Sequence, residues 1–359
     1  MIDFDLQADV VALTSALVDC ESVSLNEVQI ADAVEKALGE QRHLMLTRDG
    51  NTIVARTELG RDERVVIAGH LDTVPVNSNL PSRREGELLY GLGSCDMKGG
   101  VAVALRLAAT IAKPNRDITY VFYDAEEIDA QSNGLGRLAR EHPELLEADF
   151  AILMEPSNAA VEAGCQGTLR ADIIACGERA HSARSWMGEN AIHAASPILQ
   201  RLVAYAPRWP QIGGLTFREG LNAVAISGGV AGNVIPDEAR VTVNFRFAPD
   251  RTEAAALQHV REVFDGFEVE VTDSAPGAMP GLDRPAVAAF LDAVGGEVNP
   301  KFGWTDVAQF TVLGIPAVNF GPGDPTLAHK ADEHVPVAQL IQVEDKLRGW
   351  LTAYDLVRN

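Results

Sequence analysis

The segment that decides the fold is Val65–Asp72, which reads VVIAGHLD: an apolar run that ends on a histidine and, two positions later, an aspartate. Such a run is typical of a strand buried in a parallel sheet. Three later apolar runs end on acids: residues 90–95 precede Asp96, residues 118–123 precede Asp124-Ala125-Glu126-Glu127, and residues 150–154 precede Glu155. The carboxyl ends of parallel strands meet at one edge of a sheet, so we expect these side chains to converge. Buried carboxylates cost several kcal/mol unless they are neutralised, so the pattern indicates a metal site with two ions.

Strands alternate with helices around this segment, which predicts an α/β fold with a mostly parallel sheet flanked by helices. The pattern changes after about residue 165, where the order strand, helix, strand, strand, helix, strand predicts a ferredoxin-like α+β unit with its first helix over 190–205. The earlier pattern resumes near residue 281. We therefore expect a catalytic domain of residues 1–165 and 277–359, interrupted by an inserted lid of residues 166–276.

The composition argues against several functions. A length of 359 residues favours two domains, and a formal charge of −21 disfavours nucleic acid or an anionic membrane as a partner. No apolar run reaches the ~18 residues that span a bilayer. The acidic start of the chain lacks the features of a signal peptide, so we expect a cytoplasmic protein. The four cysteines lie in apolar segments without CxxC spacing, which predicts buried, reduced thiols.

The candidate ligands and catalytic groups are His70, Asp96, Glu126, Glu127, Glu155 and His329. Imidazole and carboxylate groups suit zinc and similar ions, and a carboxylate can bridge two of them. Asp72 shares a face with His70 in an extended segment, so we expect it to orient that imidazole. Glu126 and Glu127 are neighbours that point in different directions, so one should bind metal while the other acts as a general base.

Four motifs resemble the ordered signatures of the dizinc aminoacylase/carboxypeptidase family of metallohydrolases. They are Gly69–Pro75 (GHLDTVP), Gly93–Gly100 (GSCDMKGG), Asp124–Glu127 (DAEE) and Met154–Pro156 (MEP). Segments similar to the desuccinylating branch of that family are Asn79–Arg83, Glu162–Thr168, Ala180–Trp186, Gly232–Pro236 and Gly303–Asp306. The resemblance covers essentially the whole chain. It implies a dizinc exopeptidase-like catalytic domain, with an inserted lid that also forms a homodimer.

The resemblance also implies a role for each candidate residue. The ligands implied for one zinc are His70, Asp96 and Glu155, and those for the other are Asp96, Glu127 and His329. Cobalt is expected to be able to substitute for zinc. Glu126 matches the general base, and Asp72 matches the acid that orients the metal-binding histidine. His181 matches a lid histidine that reaches the partner subunit's active site, and a cis peptide bond is implied between Asp96 and Met97.

The activity implied by the resemblance is hydrolysis of N-succinyl-LL-2,6-diaminopimelate to succinate and LL-2,6-diaminopimelate, a step toward lysine. The residues implied to bind this anionic substrate are Thr168, Asn233, Arg246 and Thr305. Relatives carry an arginine near Cys165-Gln166 that this chain lacks, so Arg170, Arg184 or Arg246 has to replace it. Two alternatives stay open. One is an acetylornithine deacetylase, metallo-carboxypeptidase or dipeptidase of the same family, and the other is a non-catalytic relative that only binds metal or a partner.

Overall fold

The computed structural model describes residues 2–353. In that part of the chain the helices are α1 (Val10–Asp19), α2 (Val28–Gly39), α3 (Lys98–Thr110), α4 (Gly134–Glu141), α5 (Ala191–Ala194), α6 (Ser196–Val203), α7 (Glu253–Val263), α8 (Pro285–Val294), α9 (Val307–Val312) and α10 (Val337–Thr352). The strands are β1 (Met45–Asp49), β2 (Thr52–Arg56), β3 (Arg64–His70), β4 (Arg83–Glu85), β5 (Leu88–Tyr90), β6 (Asp117–Tyr123), β7 (Phe150–Leu153), β8 (Val161–Ala163), β9 (Gly167–Cys176), β10 (Ala180–His181), β11 (Gln211–Ile212), β12 (Leu215–Thr216), β13 (Gly220–Gly228), β14 (Val234–Ile235), β15 (Glu238–Phe247), β16 (Glu268–Ala275), β17 (Val298–Pro300), β18 (Ala317–Asn319) and β19 (His334–Pro336).

The chain divides into two compact units. Unit 1 comprises Met1–Ala163, Pro280–Asn299 and Thr305–Asn359, and unit 2 comprises Gly164–Met279 and Pro300–Trp304. The short segment Pro300–Trp304 groups with unit 2, although the sequence prediction kept it with the second part of the catalytic domain. A sequence pattern can assign only continuous stretches of chain to a domain. The structure groups residues by their contacts, so a short segment can belong to the other unit.

Unit 1 contains an eight-stranded sheet of order β1-β2-β6-β3-β7-β18-β8-β17. The central strands β6, β3, β7 and β18 are parallel to one another, whereas β1, β2 and β8 pair in the antiparallel sense. The side chains of β6 and β7 are all buried, which explains their unbroken apolar sequence. The predicted α/β class, with a mostly parallel sheet flanked by helices, is confirmed.

Helix α3 packs closely against the chain that follows β7. A Cβ atom added at Gly100 would lie 2.2 Å from the main-chain oxygen of Met154, so only glycine allows this approach. The helix begins at Lys98, two residues after Asp96, and its packing therefore fixes where the Asp96 loop leaves the sheet. The peptide bond between Asp96 and Met97 is cis, as the resemblance implied.

Unit 2 contains an antiparallel four-stranded sheet of order β13-β15-β9-β16, with a core shared by the sheet and helices α5, α6 and α7. The four strands of this sheet and the helices between them follow the predicted order of strand, helix, strand, strand, helix and strand. The predicted single helix over 190–205 is wrong, because α5 ends at Ala194 and α6 begins at Ser196. Pro197 lies in the first turn of α6, the place in a helix where its missing N–H is tolerated.

No disulfide joins the four cysteines, all of which lie within residues 2–353, and three of them are buried as predicted. The prediction is wrong for Cys176, which is exposed because it is the last residue of β9 and lies beyond the apolar core of unit 2. Among the helices of residues 2–353, none combines the length and the apolar composition that crossing a bilayer requires.

Candidate metal centre

The parallel strands β3, β6 and β7 end side by side. His70 is the last residue of β3 and is paired with Tyr123, the last residue of β6. On the other side of β3, Ala68 is paired with Leu153, the last residue of β7. The chain that follows β6 and the chain that follows β7 therefore both start next to His70. These two continuations carry Glu126, Glu127 and Glu155.

Three side chains at this edge come close enough to share a cation. His70, Asp96 and Glu127 each offer one ligand atom, and these atoms lie within 4.8 Å of one another. The two oxygens of Asp96 face two histidines: Oδ1 is 3.2 Å from His70 Nε2, and Oδ2 is 3.6 Å from His329 Nε2. His329 Nε2 also lies 3.0 Å from Glu127 Oε2. One carboxylate directed at two imidazoles is the arrangement that a ligand bridging two ions requires.

The second ring nitrogen of His70 shows which nitrogen is available to a metal. Nδ1 lies 3.0 Å from the main-chain oxygen of Asp72, which can only accept, so Nδ1 carries the proton of the neutral ring. The lone pair of Nε2 then faces a carboxylate oxygen of Asp96, and this contact is repulsive unless a proton or a cation lies between them. The pKa of His70 is lowered by burial, but the hydrogen bond with Asp96 and the charges of Asp72 and Glu126 outweigh this effect and raise it well above its ordinary value.

Asp72 is hydrogen-bonded to the loop that carries Glu126 and Glu127. Its carboxylate accepts hydrogen bonds from the main-chain N–H groups of Glu126, at 3.0 Å, and Glu127, at 3.1 Å. Ala125 has a left-handed φ of 57°, and this turn brings two successive N–H groups to one carboxylate. The contact with His70 differs in detail from the expectation. The imidazole is bonded to the main-chain oxygen of Asp72, and the nearest carboxylate oxygen is 3.6 Å away.

Glu126 and Glu127 have different surroundings. Burial raises the pKa of Glu126 well above its ordinary value, with the charge of His70 opposing the rise and that of Glu155 adding to it. Burial also raises the pKa of Glu127, but its hydrogen bond with His329 opposes the rise. The same hydrogen bond raises the pKa of His329 to about 9. Bound cations would relieve this crowding of carboxylates.

Glu155 and Thr305 are predicted site residues of unit 1 that do not belong to the group of His70, Asp96 and Glu127. Glu155 is buried beyond the end of β7, and its charge contributes to the raised pKa of Tyr123 as well as that of Glu126. Thr305 is buried, and its hydroxyl donates to Asn319 Oδ1 at 3.0 Å. A hydroxyl engaged inside the protein is less available to a substrate, so the binding role of Thr305 stays a prediction.

In unit 2 the structure brings His181 and Asn233 together. His181 is paired with Val234 across the short strands β10 and β14, and the N–H of Ser182 donates to the main-chain oxygen of Asn233 at 2.9 Å. His181 is exposed, and its Nδ1 accepts from the N–H of Ala183 at 3.0 Å. Because a main-chain N–H can only donate, the neutral ring must carry its proton on Nε2. That N–H is directed away from its own backbone contact and can serve as a donor.

The other predicted residues of unit 2 lie on one face of its sheet. Thr168 on β9 is directly opposite Arg246 on β15. Asn244 connects them, because it donates to Thr168 Oγ1 at 3.0 Å and accepts from Arg246 Nε at 3.1 Å. Burial lowers the pKa of Arg246, and the neighbouring charge of Arg170 lowers it further.

Glu333 and Asp306 are buried acids of unit 1 that were not predicted to contribute to the site. Glu333 accepts hydrogen bonds from the loop that carries Asp96, and burial raises the pKa of Glu333 to about 7 against the effect of those bonds. Asp306 is fully buried, and Asn133 Nδ2 donates to its Oδ2 at 2.9 Å. Asp306 ends the motif Gly303–Asp306, which could have drawn attention to it. Glu333 lies in a polar stretch, and its partners are main-chain groups that leave no pattern in the sequence.

Comparison with known proteins identifies the family. The family described as Peptidase family M20/M25/M40 matches residues 66–351. A protein of Mycobacterium tuberculosis (strain H37Rv), whose name provisionally assigns it as succinyl-diaminopimelate desuccinylase DapE, is 58% identical over 97% of this chain and 99% of its own length. The succinyl-diaminopimelate desuccinylase of Corynebacterium glutamicum is 49% identical over 97% of both chains.

Among solved structures, the Bacillus subtilis YXEP protein, described as a dinuclear metal binding peptidase of the M20 family, has the same fold. Its TM-score is 0.71 at 18% identity, with 95% of this chain and 96% of that chain covered. The chain belongs to the M20/M25/M40 peptidase family. The resemblance predicted from the four motifs is therefore confirmed.

Proposed function

We propose that the protein is a metal-dependent amide hydrolase that removes succinate from N-succinyl-LL-2,6-diaminopimelate and releases LL-2,6-diaminopimelate. The observation that carries the chemistry is the Asp96 carboxylate directed at both His70 and His329, with Glu127 beside the second histidine. The substrate is inferred from the two named relatives, which are 58% and 49% identical over nearly the full length. The proposal includes a cytoplasmic location, where precursors of lysine are made.

The donor set fits two divalent cations. We assign His70, Asp96 and Glu155 to one ion and Asp96, Glu127 and His329 to the other, with zinc as the metal and cobalt able to replace it. Imidazole nitrogen with carboxylate oxygen is the ligand chemistry that zinc accepts, and the tautomer of His70 leaves Nε2 free for it. When bound, such ions supply Lewis-acid polarisation of the substrate carbonyl and a water of lowered pKa.

Glu126 is assigned as the group that takes a proton from water and passes it to the leaving amine. A general base needs a pKa near the working pH, and burial raises that of Glu126 from its ordinary acidic value. Its N–H is held by Asp72, which fixes the direction in which its side chain leaves the main chain. Glu127, whose carboxylate contacts His329, is assigned to metal instead.

Unit 2 is proposed to form the interface of a homodimer. β13 is an edge strand of its sheet, and the residues from Asn222 to Gly228 are exposed. An unpaired edge next to apolar surface favours association with a second copy. Large apolar side chains of β13 and of helices α5 and α6 are exposed as well: Ile192, Leu199, Val203, Val224 and Ile226.

His181 is proposed to act in the active site of the partner subunit. Its exposed ring carries a proton on Nε2, as deduced above, and this N–H is suited to stabilise the oxyanion that forms when an amide is attacked. Asn233 is held next to it by the β10–β14 pairing, so the subunit that supplies His181 also supplies Asn233. Arg246 and Thr168 are proposed to bind a carboxylate of the substrate.

The experiment that tests the substrate compares hydrolysis of succinylated diaminopimelate with that of acetylornithine and of a dipeptide. The protein is first freed of metal with a chelator and then given zinc. We expect zinc-dependent release of succinate that is much faster than release of acetate or of an amino acid. Faster turnover of acetylornithine or the dipeptide would assign the alternative activity within the family, and absence of all three reactions with two ions bound would indicate a non-catalytic relative.

A further inference from the structure

Glu333 is a buried carboxylate whose partners belong to the loop that carries Asp96. Its side chain is 1% exposed. Oε1 accepts from the N–H groups of Cys95, at 2.9 Å, and Asp96, at 3.1 Å, and Oε2 accepts from that of Gly93 at 3.1 Å. The main-chain oxygen of Glu333 accepts a fourth bond, from the N–H of Gly91 at 3.1 Å. Glu333 therefore accepts hydrogen bonds from four of the main-chain N–H groups between positions 91 and 96.

The Asp96 loop depends on such support, because it connects β5 to α3 without strand pairing of its own. Gly91 and Gly93 have left-handed φ values of 151° and 79°, so the loop follows a path that helix or strand bonding would not hold. At its end, the two oxygens of Asp96 face two separate histidines. A shift of the Asp96 main chain would change these distances, and functional sites of this kind need their groups held to within about 0.5 Å.

The segment that carries Glu333 also carries His329. The N–H of Glu333 donates to the main-chain oxygen of Lys330 at 3.2 Å, and this bond closes a turn from Lys330 to Glu333, directly after His329. Glu333 thus connects the loop of one candidate ligand, Asp96, to the turn that follows another, His329. Its carboxylate makes this connection through hydrogen bonds with the main-chain N–H groups of the Asp96 loop.

We propose that Glu333 is a positioning residue that holds Asp96 where its carboxylate can bridge two cations. This inference rests on the dinuclear site of the proposed function. Residues that orient metal ligands typically change metal affinity about 10- to 100-fold when they are removed. Glu333 would act on the ions through the N–H groups of Cys95 and Asp96 rather than by ligation.

The test is the Glu333→Gln variant, in which one acceptor oxygen becomes an NH₂ group of nearly the same size. That group cannot accept from an N–H, so at least one loop bond is lost. We expect calorimetry with metal-free protein to give zinc affinity lower by about 10- to 100-fold. In the cobalt-loaded variant, the magnetic coupling between the two ions should weaken, because the bridge is displaced. Glu333→Asp, which keeps both acceptor oxygens on a shorter side chain, should be intermediate, and it takes the place of Glu333→Gln if that variant does not fold.

The matched control is Glu344→Gln, which changes another buried glutamate of unit 1. Glu344 is held by Arg106 and Arg348, away from the Asp96 loop, so the variant should lower the melting temperature and leave zinc affinity unchanged. If the Glu333 variants melt earlier but bind two zinc ions as tightly as wild type, Glu333 only stabilises the fold and the proposal is overturned. A wild type that binds two ions but does not hydrolyse the succinylated substrate would refute the proposed function and leave the role of Glu333 intact.

Discussion

The two adjacent glutamates after β6 have different surroundings, although their main-chain N–H groups share one acceptor. Asp72 accepts from both, and the left-handed Ala125 turns the chain so that the side chains diverge. Glu127 contacts His329, whereas Glu126 lies among the charges of His70 and Glu155. The sequence predicted that the pair would divide its roles, but the residues alone left open which glutamate would take which.

At the scale of a single residue, Glu126→Gln should bind two zinc ions and lose most of the activity, because an amide cannot take up and release the proton. Loss of a general base typically lowers the rate by about 10² to 10⁴. Zinc content by elemental analysis and turnover of the succinylated substrate measure the two effects separately. The matched control is Glu127→Gln, which should lose zinc. A Glu126→Gln protein with less zinc and proportionately less activity would make Glu126 a ligand.

At the scale of the elements, the position of the site follows from how α3 meets the chain after β7. Runs of apolar residues predicted the central strands β3, β6 and β7, because a strand buried on both faces has no polar alternation to obscure it. The run over residues 90–95 is instead mostly loop, since β5 ends at Tyr90 and belongs to a separate three-stranded sheet. The break between α5 and α6 was missed, since the apolar spacing continues across Pro197. The support that Glu333 gives to the Asp96 loop could not be predicted from the sequence. Its partners are main-chain N–H groups, which almost every residue has, so the sequence does not mark which ones it binds.

Gly100→Ala should destabilise unit 1, because its Cβ would lie 2.2 Å from the main-chain oxygen of Met154. Overpacking of this kind costs about 1–3 kcal/mol of the free energy of unfolding. The control is Gly349→Ala in α10, where no atom lies within 4 Å of the added Cβ. That variant should instead be more stable by about 0.5–1 kcal/mol, because alanine favours a helix more than glycine does. Denaturant unfolding of the metal-free proteins measures both changes, and equal stability of the two variants would contradict the close packing of α3.

At the scale of the whole molecule, the proposed dimer explains why unit 2 has an exposed edge strand with apolar side chains. The sequence predicted the inserted unit from its change of pattern, and the family resemblance supplied the homodimer. Patterns within one chain carry little information about a second copy. The exposed side chains of β13 and α6 are the structural support for the interface, and the interface itself stays a prediction.

Subunit exchange tests whether each active site takes His181 from its partner. His181→Ala and Glu126→Gln proteins, each inactive alone, are mixed in equal amounts and allowed to exchange. A mixed dimer has both defects in one site and none in the other, so about a quarter of all sites should recover in a statistical mixture. The extent of exchange is measured separately, by native mass spectrometry of a mixture in which one variant is isotope-labelled. Activity that stays at background after verified exchange would mean that the histidine acts within its own chain.

A zinc titration of metal-free protein tests the proposal that Asp96 bridges two cations between His70 and His329. Calorimetry of the wild type should give two zinc ions per chain, with hydrolysis of the succinylated substrate returning as they bind. Asp96→Ala should bind neither ion tightly, because one carboxylate serves both, whereas His70→Ala should lose one ion and keep the other. Two ions bound by Asp96→Ala with wild-type affinity, or full activity of the wild type with a single ion, would contradict the account.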